Sequence, residues 1–176
     1  MSVYIIGGGT PLPGRLSQAE TRMRTMIGVM AQKGANATRI QQTLLGDGRG
    51  RLMLAAKFDS FHEAMSIFEE VRKDPLFIEV SKQISENPAA SDSWAVVMRD
   101  FYGSLDFSKS VTLRRTYKIS RGHLPKMTEI IKEIDNLSPD YKVAGIIPVM
   151  APHMDYLHGA YHFCLLYTSP SPRDRQ

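Results

Sequence analysis

Residues 37–58 read Ala-Thr-Arg-Ile-Gln-Gln-Thr-Leu-Leu-Gly-Asp-Gly-Arg-Gly-Arg-Leu-Met-Leu-Ala-Ala-Lys-Phe, and residues 142–163 read Lys-Val-Ala-Gly-Ile-Ile-Pro-Val-Met-Ala-Pro-His-Met-Asp-Tyr-Leu-His-Gly-Ala-Tyr-His-Phe. Each reads as a β-hairpin. In the first, strands over Thr38–Leu45 and Arg51–Phe58 flank Gly46-Asp47-Gly48-Arg49-Gly50, where glycine supplies the positive φ angles a tight loop needs. In the second, strands over Tyr141–Met150 and Tyr156–Phe163 flank Ala151-Pro152-His153-Met154-Asp155. The two stretches have equal length, and a constant offset of 105 lays Phe58 on Phe163, Ala55 on Ala160 and Leu52 on Leu157. That constancy predicts an internal repeat of one supersecondary unit.

The flanking elements repeat in the same order. Val3–Ile6 reads as a strand closed by Gly7-Gly8-Gly9. Ala19, Met23, Met26, Ile27 and Met30 then recur at helical spacing, behind a capping box at Ser17 and Glu20, and Lys33-Gly34 ends the helix. After the first hairpin comes a second capping box, Ser60 and Glu63, and an apolar stripe of Phe61, Ala64, Met65, Phe68 and Val71. Asp74-Pro75 interrupts it, Leu76, Phe77 and Val80 resume it, and Trp94–Met98 reads as a strand. The order is βαββαβ. It restarts with a strand at Val111–Ile119, a turn at Arg121-Gly122-His123, a helix at Leu124–Leu137 and the second hairpin, giving βαββ. The expected units are residues 1–105 and 106–163.

The last thirteen residues, Cys164 to Gln176, read differently. Cys-Leu-Leu-Tyr-Thr-Ser and Pro-Ser-Pro-Arg-Asp can both be encoded by the mosaic end of a transposase-based sequencing adapter, so residues 164–176 are expected to be a non-native tail. Cys164–Tyr167 is expected to prolong the preceding strand by local pattern, with disorder from Thr168 onward. By the repeat, a helix and a final strand would then be missing after Phe163. The strand would flank Val111–Ile119 and leave that edge unpaired.

Composition narrows the function classes. The formal charge is +4, spread along the chain, without a Lys/Arg-rich run or aromatic–basic interleaving, so no nucleic-acid partner is expected. The only cysteine is Cys164, which excludes disulfides and thiolate chemistry for residues 1–163. The N-terminus has no basic region and only a short apolar run, so neither a signal peptide nor a membrane partner is expected, and the cytoplasm is the expected compartment. Gly7-Gly8-Gly9 does not make a nucleotide loop. Leu12 stands where a dinucleotide fingerprint needs glycine, Arg15-Leu16 stand where a P-loop needs Lys-Ser/Thr, and Pro11 and Pro13 remove amides.

The element order resembles the dimeric α/β-barrel superfamily of ferredoxin-like folds, in fused tandem form. Asp59-Ser60-Phe61-His62-Glu63-Ala64 followed by Asp74-Pro75-Leu76-Phe77 is similar to the second helix of many such domains. The resemblance implies an α+β fold of two ferredoxin-like βαββαβ units forming a tandem dimeric α/β barrel, the second unit carrying βαββ only. It implies a pseudo-dimer within one chain, leaves further homo-oligomerisation open, and places a cavity between two facing sheets. The implied function is to bind or transform a small anionic or aromatic molecule there, by cofactor-independent monooxygenase- or isomerase-like chemistry. A non-catalytic stress-related or regulatory ligand-binding module is the alternative, and a haem-binding protein a further one. No catalytic signature is matched, and fold alone does not fix reaction.

Alternation along the strands picks out the candidate residues. Leu157, Gly159, Tyr161 and Phe163 form the apolar series expected beneath the helices, which leaves Tyr156, His158, Ala160 and His162 on the other face. His158 and His162 are the expected acid/base or polar groups, since histidine titrates near neutral pH. They stand about 13 Å apart at strand rise, and no carboxylate motif completes a site, so no metal is expected. Thr112, Arg114, Thr116 and Lys118 share one face of their strand, and Lys57 occupies the position of His162 in the first repeat. Arg114, Lys118, Lys57 and Tyr156 are the expected ligand contacts, because cations confined together need an anion.

Overall fold

The computed structural model describes residues 1–120, 122–137 and 142–163. The turn residue Arg121, the first residue of the predicted strand at Tyr141, and the expectations for 164–176 lie outside the described residues. The chain forms two compact units that divide after Met98.

The first unit begins with β1 (Val3–Pro11), which runs straight through the three glycines predicted to close it. The reason is a close approach. A Cβ on Gly8 would lie 2.5 Å from the Leu52 carbonyl oxygen and 3.1 Å from the Trp94 ring. Only glycine lets those groups come so near. Helix α1 (Leu16–Gln32) follows, then β2 (Ala37–Gln42), β3 (Leu52–Phe58), α2 (Phe61–Lys73), α3 (Pro75–Glu86) and β4 (Ala90–Tyr102), which crosses into the second unit.

The two capping boxes behave differently. Ser60 caps α2: its hydroxyl oxygen accepts from the Glu63 amide at 3.1 Å, and the Glu63 carboxylate accepts from the Asp59 amide at 2.8 Å. The box predicted at Ser17 does not form. Helix α1 already starts at Leu16, with Arg15 as a cap that makes no side-chain cap bond. Glu20 instead pairs with Arg24, one turn ahead. The Arg15 guanidinium is held by the Asn87 side chain and by the Pro88 carbonyl at 3.0 Å, which fixes where the helix begins.

Strand order in the first unit is β2-β3-β1-β4, the ferredoxin-like order. Val3, Leu52, Leu54, Ala56 and Phe58 form its apolar face together with Ala19, Ala64 and Val71 from the helices. Each valine, leucine or phenylalanine side chain removed from water there contributes roughly 1.5–3 kcal/mol.

The second unit contains β5 (Val111–Lys118), α4 (Leu124–Asn136), β6 (Lys142–Met150) and β7 (Tyr156–Phe163), in the order β6-β7-β5. The predicted repeat is present as strand register. Ala37 pairs with Lys57 in the first hairpin, and Lys142 pairs with His162 in the second, the same partners moved by 105. By register Val3 opposite Phe58 corresponds to Val111 opposite Phe163, the first strand being displaced by 108 and not 105. Ile131 of α4 packs on Val143, Leu157, Tyr161 and Phe163. Arg115 interrupts the apolar alternation of β5, and its guanidinium lies 5.5 Å from the Tyr161 ring centroid, so its charge rests on an aromatic face. Tyr102 donates to Asp135 at 2.7 Å, and the other Asp135 oxygen accepts from the Val143 amide at 3.2 Å, tying the end of β4, α4 and the start of β6 together.

Candidate functional site

Because Leu157, Tyr161 and Phe163 are buried beneath α4, the residues between them point to the opposite face of the second unit's sheet. Register then fixes three rows across that face. Thr112, His162 and Lys142 form one row. Arg114, Ala160 and Ala144 form the next, and Thr116, His158 and Ile146 the third. Lys118 lies opposite Tyr156 at the end of the ladder. The middle row has only methyl groups at Ala144 and Ala160, both buried, between the rows of His162 and His158, with Arg114 at its β5 end.

The two histidines resemble each other in sequence but are held differently. His162 is 2 % exposed. Its Nδ1 lies 3.2 Å from the Thr112 hydroxyl, and its Nε2 accepts from the Asp106 amide at 3.4 Å. A ring nitrogen that accepts carries no proton, so the neutral ring holds its proton on Nδ1 and donates it to Thr112. Both nitrogens are therefore engaged, Nε2 holding the 103–110 connection and Nδ1 holding β5 through Thr112.

His158 meets the Thr116 hydroxyl through Nδ1 at 3.0 Å, and among the described residues its Nε2 has no hydrogen-bond partner. Burial, and secondarily the positive charge of Arg114, pull its pKa down to about 4. The ring is thus neutral at pH 7 and titrates well below the near-neutral range expected of it. What this offers a ligand is one neutral imidazole nitrogen beside a guanidinium.

The remaining expected contacts fall in several places. Tyr156 stacks edge-on against His153, with ring centroids 5.7 Å apart. Lys118 pairs with Asp155 at 3.5 Å and is largely exposed. Lys57 belongs to the first unit, opposite Tyr4 and Ala37 on its own sheet. Five of the six expected residues therefore share the second unit's face, and Lys57 does not belong to it. Sequence reading missed Thr112 and Thr116 as histidine partners, and Ala144 as half of the small-residue row. Register was the missing information: the 105 offset relates the hairpins but does not say how β5 aligns on β7.

Among the described residues no three His, Cys, Asp or Glu side chains gather to hold a metal. No helix among them is long and apolar enough to cross a membrane.

No protein-family model matches the chain, and no curated protein matches it. Solved structures do. One, named as a candidate monooxygenase from Fusobacterium nucleatum, superposes with a TM-score of 0.63 at 7% identity, over 94% of this chain and 77% of that one. An anthrone oxidase-like protein superposes with a TM-score of 0.62 at 8% identity, over 99% and 80%. A candidate monooxygenase from Lactobacillus acidophilus gives 0.57 at 8% identity, over 93% and 77%. At such identities the likeness establishes fold. The chain has an α+β fold like that of these structures, with a βαββαβ unit of ferredoxin-like strand order followed, among the described residues, by βαββ.

Proposed function

We propose that the second unit binds a small organic anion, aromatic or carboxylate-bearing, at Arg114 and His158 on the sheet face away from α4, and that His158 takes a proton from it. The observation that carries this is the neutral His158, with Nε2 unengaged, beside Arg114 and above the Ala144–Ala160 row.

The chemistry follows from the same neighbours that depress the His158 pKa. An anion seated against Arg114 neutralises the charge that disfavours imidazolium. The His158 pKa then rises on binding, and Nε2 becomes able to accept a proton from a C–H or O–H next to a carbonyl. Proton removal of this kind is the first step both of isomerisation and of cofactor-independent oxygenation. The names of the neighbours, monooxygenase and anthrone oxidase-like, support the second. His162 holds the 103–110 segment, Tyr156 edges the face, and Lys118 extends its positive field.

Oxygen uptake with anthrone as the trial substrate tests the assignment. Replacing His158 by Ala is expected to lower kcat by about a hundredfold or more. Replacing Arg114 by Ala is expected to raise KM. Full turnover by His158→Ala would remove the histidine from the mechanism.

The alternative function, non-catalytic ligand binding, would appear as anion binding that depends on Arg114 without turnover of any trial substrate. Haem is the further alternative. His158 Nε2 is a candidate iron ligand and Arg114 suits a propionate, so a Soret band that His158→Ala abolishes would support it.

A further inference from the structure

We propose that the groove between α1 and β2, within the first unit, is a binding site for a neutral planar aromatic molecule that carries a hydroxyl or carbonyl group. The groove has a volume of about 440 Å³, in the range of small-molecule sites. Its helix wall is one face of α1, where Leu16, Glu20, Arg24 and Gly28 follow one another at four-residue spacing. Its strand wall is β2, where Thr38, Ile40 and Gln42 stand opposite Ala56, Leu54 and Leu52 of the apolar face under the helices.

The decisive residue is Gly28. It stands in the interior of α1, where glycine costs helix stability relative to alanine. Packing does not require it, since a Cβ there would meet no atom of the rest of the fold within 4 Å. The missing side chain instead leaves bare, flat helix backbone facing the groove. The same unit shows what such backbone receives. At Gly8 the Trp94 ring comes within 3.1 Å of the place a Cβ would take. At Gly28 the corresponding space is open, and a ring can lie on it as the indole lies on Gly8.

The rest of the lining sets the chemical class. Ile27 is 7 % exposed and Leu52 3 % exposed, and with Ile40 they call for an apolar body. Thr38 and Gln42 add a hydroxyl and a carboxamide, each able to donate and to accept, which suits a hydroxyl or carbonyl substituent. Charge is already matched. The Glu20 carboxylate accepts twice from Arg24, at 3.1 and 2.5 Å, so an anion would have to displace Glu20 and a cation would have to displace Arg24. Arg39 and Gln41 alternate onto the opposite face of β2. A neutral ligand meets no such competition. Arg114 and His158 belong to the second unit, so the two sites stand or fall independently.

Titration of the full chain with 2-naphthol, followed through backbone amide and methyl NMR signals, tests the site. Shifts are expected at Ile27, Gly28, Ile40 and Leu52. Gly28→Leu is expected to weaken binding about tenfold or more. Its Tm is expected to rise, because leucine fills the groove and favours the helix. Gly28→Ala is expected to weaken binding about threefold, also with a higher Tm. 2-Naphthoate, an anion of the same shape, is expected to bind at these residues about tenfold more weakly than 2-naphthol. Unchanged 2-naphthol affinity in Gly28→Leu would overturn the proposal, as would shifts confined to residues outside α1, β2 and β3. Equal binding of 2-naphthoate would overturn the neutral class of ligand. Should Gly28→Leu not fold, Gly28→Ala decides by the same criterion.

Discussion

At the scale of single residues, hydrogen-bond partners distinguish two histidines that look equivalent in sequence. Both sit on β7 opposite a threonine of β5, yet His162 has both ring nitrogens engaged and His158 has one. The depressed pKa of His158 has a stability consequence whose sign is fixed. The unfolded chain binds a proton near the ordinary value of 6.5, and the folded chain only near 4. Between those values the unfolded state holds more protons, so stability falls as pH drops through that window, by up to about 3 kcal/mol. Above the ordinary value this effect vanishes. His158→Gln cannot titrate, so its unfolding free energy is expected to show a flatter acid limb between pH 6.5 and 4, measured by urea denaturation at a series of pH values. Parallel curves for the two proteins would mean that His158 is not buried in its neutral form. Arg114→Ala is expected to move the His158 pKa upward, read from its ring NMR signals, and the remaining burial is expected to keep it below the ordinary value.

At the scale of elements, identical local signals had different outcomes. Ser17 with Glu20 and Ser60 with Glu63 have the same spacing, but only Ser60 caps a helix. The distinction comes from Arg15, whose guanidinium is anchored on the Asn87 side chain and the Pro88 carbonyl far away in sequence, with α1 starting a residue before the serine. Ser60→Ala is expected to cost about 1 kcal/mol, and Ser17→Ala close to nothing, by thermal or chemical denaturation. Equal losses would contradict the assignment of the caps. The strand through Gly7, Gly8 and Gly9 was illegible for a related reason. Glycine triplets ordinarily punctuate a chain, and only the nearness of Leu52 and Trp94 explains why a strand requires them here. The period-two patterns of β3 and β7 and the helical stripes of α2 and α4 were legible, because burial of one face imposes them. For the candidate site, the face was legible in β7 alternation, and the Thr–His pairs and the Ala row were not, because cross-strand alignment is a tertiary property.

At the scale of the whole molecule, the repeat conserves register while changing chemistry. Under the 105 offset Met53 corresponds to His158, Lys57 to His162, and Arg39 to Ala144, with Ala55 and Ala160 alike. Two copies of one unit thus present different faces, and the imidazole–guanidinium pair occurs on the second. The central claim is that this face, and not the corresponding face of the first unit, receives an organic anion. Its most direct test is a residue-resolved NMR titration of the full chain with benzoate, following all backbone amides and the His158 ring. The expected result is shifts concentrated at Thr112–Thr116, Ala144 and His158–Ala160, together with an upward move of the His158 pKa as the anion binds. Shifts centred on Met53–Lys57, or saturation with the His158 pKa unchanged, would contradict it.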